Sequence, residues 1–193
     1  MAQGDYILPL DADDLIDSMM LADCVAVLDA NADIALVYSD RQDFGDNQQY
    51  YTAGQFELAR LKYFNQLSYC ALYRRTLWQA VGGYKTNVSG FDDWDFWLAA
   101  AIYGAKAYYL PKAYLLHRRH AVSQLWQLLP NYEMLHAKII LNNACAFSDN
   151  EQQAAKDFLS SGKTSSLLIS SRFLFLNHYY RNYPNHLQTS CVF

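Results

Sequence analysis

Residues 4–14 read GDYILPLDADD. The run 5–10 is short and apolar, and three carboxylates, Asp11, Asp13 and Asp14, follow it within four positions. An apolar run of this length that ends in a turn reads as a buried strand. Pro9 suits its end, because proline cannot donate to a central ladder. Downstream, Ile16, Met19, Met20, Cys24, Val27 and Leu28 recur at helical spacing. They predict a helix over 15–30 with Asp13 or Asp14 as its N-cap. A strand that passes into a helix is an α/β unit, and open α/β sheets collect ligands at the carboxyl ends of their strands.

The alternation continues outward. A strand is expected over 34–38, a polar loop over 39–54, a short helix over 56–64 and a strand over 67–73. Residues 76–81 read as a short helix stopped by Gly82-Gly83, and 92–103 as a strong helix ended by Gly104. A strand over 106–110 stops at Pro111, and 113–116 extends it towards the basic HRRH at 117–120. Beyond Val122 the pattern is helical only, over 125–147, 151–159 and 165–180. The expected architecture is therefore α/β up to about residue 124, followed by a helical C-terminal extension over 125–193.

Composition narrows the classes. The chain has 193 residues, 52% hydrophobic and 18% charged, which excludes a disordered polymer. A net charge of −4 argues against a nucleic-acid partner. Aromatics are in excess, with 16 tyrosines; much of that excess reads as core, but tyrosine and tryptophan also line sugar and nucleotide clefts. The four cysteines, Cys24, Cys70, Cys145 and Cys191, form no CxxC pair and read as reduced thiols. Acidic residues interrupt the N-terminal apolar run, so no signal peptide is expected. No stretch is long enough for a transmembrane segment. The expected location is cytoplasmic, with peripheral association at the inner face of a membrane as its furthest reach.

Three clusters could carry chemistry. Asp11, Asp13 and Asp14 suit a divalent cation bridging to phosphate, since Mg²⁺ and Mn²⁺ favour oxygen ligands. They also read as an acidic N-cap that complements a helix dipole. Asp92, Asp93 and Asp95, within GFDDWDFWL at 90–98, again precede a helix, and capping accounts for one or two of them. A carboxylate beside Phe91 and Trp94 would be partly desolvated, which improves it as a general base. Asp95 is expected to face the helix interior or a basic neighbour. His117, Arg118, Arg119 and His120, followed by Ser123, read either as a basic strand end at the surface or as a pyrophosphate clamp. His136, His178 and His186 have no acidic partner nearby in sequence and read as structural or surface residues.

The order of these parts is more specific than any one of them. GDYILPLDADD, then GGY at 82–84 followed by GFDDWDFWL, then LHRRHAVSQ at 116–124, resembles the later portion of a family 2 glycosyltransferase. The resemblance implies a partial GT-A fold over 1–124, a mixed sheet of the nucleotide-diphospho-sugar transferase kind with flanking helices. Asp11 and Asp13 match the family's DXD pair, which contacts ribose and metal-bound pyrophosphate. Asp13 is then the preferred ligand of Mn²⁺ or Mg²⁺, with Asp14 as alternative ligand or helix cap. Asp93 matches the catalytic base of the family's ED pair, and Asp92 stands where Glu is usual. His120 matches a histidine that contacts metal or phosphate, Arg118 joins it on the donor, and His117 stands where Tyr is usual. Asp92 and Trp94 fall on the acceptor side.

The resemblance implies inverting transfer of a sugar from a nucleotide-sugar donor to a glycan or lipid-linked acceptor, in cell-surface polysaccharide synthesis. It places Asp13 and Asp93 across a cleft. Family members carry further strand and helix units ahead of DXD, whereas here only ten residues precede Asp11. Most of the donor-binding half is therefore expected to be absent, and the edge of DYILPL to lie open to self-association. Two other readings are a non-catalytic remnant with a weak metal or sugar site, and a two-metal phosphoryl-transfer enzyme.

Overall fold

A computed structural model describes residues 2–46, 48–120 and 127–182. Its strands are β1 (Tyr6–Ile7), β2 (Leu15–Ile16), β3 (Ile34–Gly45), β4 (Tyr50–Tyr51), β5 (Leu72–Arg74) and β6 (Lys106–Arg119). The helices are α1 (Met20–Ala30), α2 (Leu58–Leu61), α3 (Arg75–Ala80), α4 (Asp92–Ile102), α5 (Tyr132–Asn142), α6 (Asp149–Ser161) and α7 (Ser166–Asn182). The sheet order is β1-β5-β3-β6-β2, with β4 paired to β3. β3 and β6 run parallel and every other pairing is antiparallel, so the sheet is mixed.

Side chains alternate across a strand, and here both faces are covered. On β3, Val37 packs with Met20, Cys24 and Leu28 of α1, while Leu36 and Tyr38 pack with Trp94, Phe96 and Trp97 of α4. The second core also takes in Tyr132, Leu135, Ile139 and Phe175, so α5 and α7 close over α4. α6 begins on a capping box between Ser148 and Glu151 and ends at Gly162, whose φ of 70° is the left-handed conformation that glycine adopts readily. Cys24 and Cys70 are buried free thiols and Cys145 is an exposed one. Among the described residues, no helix is long and apolar enough to cross a membrane.

Several elements differ from the sequence expectation for identifiable reasons. The helix expected from residue 15 begins at Met20, because Leu15 and Ile16 pair with Leu116 and Leu115 as β2. Its first turn is held by Asp17, whose carboxylate accepts the Met19 N–H at 2.8 Å, and neither Asp13 nor Asp14 caps it. β3 continues to Gly45 through the stretch read as a loop. The polar residues there are consumed inside the sheet: Asp40 accepts from Tyr50 and Tyr109 hydroxyls, both at 2.6 Å, and from the Ala53 N–H at 2.8 Å. Pro111 does not stop β6. The ladder pairs Ser39 with Leu110 and then Asp40 with Ala113, so Pro111 and Lys112 sit in a bulge where a missing N–H costs nothing. β5 is shorter than the expected 67–73, and residues 65–71 form an irregular approach to it. The expected helix 125–147 is confined to 132–142, after a 3₁₀ turn at Leu129–Asn131 that contains Pro130. Ser123 and His186 lie outside the described residues.

The parallel register sets Asp43 opposite His117. The Asp43 side chain is fully buried, and Arg41 Nε (3.0 Å), His117 Nδ1 (3.2 Å) and Arg119 Nε (3.4 Å) converge on it. Asp43→Ala would leave two guanidinium groups facing each other without their shared counter-charge. We expect a loss of roughly 3 kcal/mol or more in urea unfolding, the range for a broken buried ion pair. A loss under about 1 kcal/mol would show that the cluster behaves as a surface pair.

Candidate functional site

The DADD turn is built against the end of β6. β2 pairs with β6, and this brings residues 11–14 beside 117–120. Asp14 is buried and both its oxygens are engaged: the Arg118 N–H donates to Oδ1 at 2.6 Å and the Tyr69 hydroxyl donates to Oδ2 at 2.7 Å. Asp14 therefore anchors the turn and is poorly placed as a ligand. Arg118 Nε donates to the Asp13 carbonyl at 3.0 Å, and the guanidinium lies 4.5 Å from the Phe44 ring centroid. His120 Nε2 is 2.8 Å from Asp13 Oδ2.

β6 thus sorts its basic end by strand alternation. His117 and Arg119 serve Asp43, while Arg118 and His120 serve the turn. The four basic residues read together in the sequence belong to two sites.

The carboxylates of the turn differ in ionisation. The hydrogen bond from His120 holds Asp13 below the usual carboxylate range. Asp11 is held above it, first by partial desolvation and then by repulsion from Asp14 and Asp13. A divalent cation would relieve that repulsion, and carboxylate oxygens are a suitable donor set for Mn²⁺ or Mg²⁺. Among the described residues, no group of three or more His, Cys, Asp or Glu side chains is arranged to hold a metal ion. Mg²⁺ is commonly held by one or two carboxylates together with substrate phosphates, which is the kind of site these residues fit.

The second acidic cluster separates in the same way. Asp95 is buried and accepts from the Asn142 and Asn143 side-chain amides at 3.1 and 2.8 Å, so it ties α4 to α5 and the segment after it. Asp92 accepts the Gly90 N–H at 3.0 Å, across a turn in which Gly90 has φ of 91°. Asp93 accepts the Trp94 N–H at 2.7 Å on Oδ1 and the Asn65 side-chain amide at 2.8 Å on Oδ2. Burial, with Asp92 adding to it, pushes the Asp93 carboxyl up to about 7.

Asp93 lines a cavity of about 190 Å³ together with Asn65, Tyr69, Trp94, Phe175 and other residues. Trp94 is 1% exposed and its indole N–H is spent on the Leu61 carbonyl at 2.6 Å. Its contribution to the cavity is therefore an apolar ring, stacked on Phe175. His136 stacks on the same indole and donates from Nε2 to the Lys62 carbonyl at 2.9 Å; burial pushes it down to about 4. His178 stacks on Phe64 and also reaches the cavity wall.

Two residues absent from the sequence reading join the clusters. Tyr69 accepts the Asp11 N–H at 3.0 Å, donates to Asp14, and lines the Asp93 cavity. Asn65 orients Asp93. These contacts span 58, 55 and 28 positions, and no local spacing signals them.

Residues 1–88 match the model of glycosyl transferase family 2, a range that contains the DADD turn and ends before Asp93. No curated protein matches the chain in sequence. Among solved structures, Staphylococcus aureus TarS 1–349 is similar over 99% of this chain and 52% of that one, with 20% identity and a TM-score of 0.54. The mannosyltransferase PcManGT from Pyrobaculum calidifontis, solved in complex with GDP-Man and Mn²⁺, is similar over 93% of this chain and 58% of that one, with 19% identity and a TM-score of 0.47. The chain thus spans little more than half the length of these structures. The likeness to TarS shows the fold, a mixed-sheet GT-A arrangement. Residues 1–88 of this chain are thus similar to part of a family 2 glycosyltransferase domain.

Proposed function

We propose that the chain serves inverting glycosyl transfer from a nucleotide-sugar donor, with Asp93 as the general base. The observation that carries this reading is the seating of Asp93: an oriented, desolvated carboxylate in a cavity whose wall includes Tyr69, the residue that holds the DADD turn. A base whose carboxyl titrates near 7 is matched to proton abstraction from a sugar hydroxyl under ordinary conditions. The family match over residues 1–88 supports the donor side of the reading.

In the proposed reaction an acceptor hydroxyl enters the Asp93 cavity and gives its proton to the carboxylate. Its oxygen forms a bond to the anomeric carbon as the bond from that carbon to the nucleotide diphosphate breaks on the opposite face. Asp13 and Asp11, completed by substrate phosphates and with His120 hydrogen-bonded to Asp13, would hold Mn²⁺ or Mg²⁺, which when bound supplies charge neutralisation for the departing diphosphate. Arg118 contacts the same diphosphate, and Asp92 and the Trp94 ring lie on the acceptor side. A glycan or lipid-linked acceptor in cell-surface polysaccharide synthesis fits this chemistry.

Asp93→Asn keeps the shape of the side chain and removes its proton affinity. We expect turnover to fall about 10²–10⁴-fold with donor affinity retained, the usual contribution of a general base. Full activity in that variant would end the assignment. In the wild type, kcat/KM should rise with pH through about 7 as Asp93 loses its proton.

The same residue predicts a stability effect of known sign. The folded protein keeps the Asp93 proton up to about pH 7, while the unfolded chain releases it near the ordinary carboxylate value. The unfolded state therefore binds fewer protons in this window, and stability falls as pH rises through it. Asp93→Asn should melt at a higher temperature than the wild type at about pH 8, with the difference vanishing near about pH 4. An equal or lower melting temperature at the higher pH would contradict the desolvated setting. Asp13→Ala should abolish Mn²⁺ binding measured by calorimetry, and unchanged, metal-independent turnover would remove the DXD assignment.

A further inference from the structure

Beside the Asp93 cavity lies a larger one of about 520 Å³, a size usual for a small-molecule site. The two share Arg41, Asn65, Leu67, Ser68 and His178 in their walls. Every residue from Asn65 to Tyr69 lines one cavity or both, so this irregular segment is a common floor. Tyr50, Tyr51 and His178 contribute rings to the larger cavity, and no carboxylate among the described residues lines it.

Its polar floor is incompletely satisfied. Gln66 is 8% exposed, and among the described residues neither its Nε2 nor the buried Ser68 Oγ has a hydrogen-bond partner. A buried donor left unmade costs about 1–3 kcal/mol, so native structures seldom keep one without a use. Gly54 makes room for Gln66: a Cβ there would stand 2.4 Å from Gln66 Oε1 and 2.9 Å from its Cβ. The other member of this segment's amide pair, Asn65, is already committed to Asp93.

We propose that the larger cavity is the subsite that receives the acceptor chain, and that Gln66 Nε2 and Ser68 Oγ are its specificity-determining groups, bonding oxygens of a carbohydrate. The inference rests on the glycosyl-transfer reading and adds the place and the residues by which the acceptor is told apart. The chemistry points to carbohydrate because the unmade bonds are neutral and directional. The same cavity is lined by the Tyr50 and Tyr51 rings, and an aromatic face suits the apolar C–H surface of a pyranose. A sugar lying there extends directly into the cavity that holds Asp93.

The test uses the whole chain on an immobilised panel of gluco-, galacto- and manno-configured oligosaccharides, each with and without N-acetyl groups. The wild type should bind at least one configuration. Gln66→Met and Ser68→Ala should each weaken that binding about five- to tenfold, the worth of one hydrogen bond. Gly54→Ala, which crowds Gln66 but leaves its amide, should weaken it as well. Melting temperatures identify any variant that has failed to fold, and the remaining variants still decide the matter. Unchanged affinities in folded variants, or no binding by the wild type, overturn the inference. Binding of Mn²⁺ with inorganic pyrophosphate, measured on the same samples, separates the two readings. If it persists and depends on Asp13, the subsite alone has failed; if it is absent as well, the glycosyl-transfer reading fails with it.

Discussion

The parallel pairing of β3 with β6 is the constraint on which the rest depends. It brings the polar end of one strand beside the basic end of the other and sets Asp43 against His117. Because side chains alternate, a slip of one residue would exchange His117 and Arg119 for Arg118 and His120. Asp43 would then keep Arg41 of its own strand but lose His117 and Arg119, and the DADD turn would lose the N–H, guanidinium and imidazole that hold it. Charge pairing on both faces therefore enforces the register, which hydrophobic alternation alone would leave weaker at a strand end this polar. The site is a by-product of that register, since β2 can deliver the turn only to an edge of β6 that is already fixed.

The carboxylates divide by what satisfies them. Asp14, Asp40, Asp43 and Asp95 are buried among hydroxyls, amides or cations that bond or pair with them, and each ties together elements distant in sequence. Asp11 and Asp13 sit exposed at the turn, and Asp93 faces a cavity. A carboxylate oxygen can accept more than one hydrogen bond, so the single bonds to each Asp93 oxygen orient it while leaving capacity for a substrate. Orientation without saturation separates a carboxylate open to a ligand from a structural one, and within DADD and FDDWD the two kinds stand side by side.

Much of the layer pattern was legible because it is local. The strand at 34, the helix at 92–103 and the stop at Gly104 follow from apolar spacing and from glycine's freedom at a helix end. The second half of β3 was not, because Asp40 and Asp43 resemble loop residues until the tyrosines and arginines that bury them are known. The same holds for Pro111, which reads as a stop until the bulge in the ladder is seen. Chemistry-bearing clusters were visible as residue types, and the family resemblance singled out Asp93. The allocation of roles within each cluster depends on partners 28 to 107 positions away, which no window of sequence contains. Tyr69 and Asn65 are the clearest case, ordinary residues whose importance lies wholly in what they touch.

The helices after residue 127 bear on the same chemistry despite carrying no acidic or basic motif. Phe175 of α7 stacks on Trp94, and Tyr132 and His136 of α5 pack against the same indole. Phe175 and His178 reach the wall of the cavity that holds Asp93. Water excluded by these rings is what raises the Asp93 carboxyl, since burial is the largest influence on it. An α4 N-terminus left uncovered would present Asp93 to solvent, where two hydrogen-bond donors would keep it an ordinary, weakly basic carboxylate. The α/β layer supplies the carboxylate, and the helical layer raises its proton affinity.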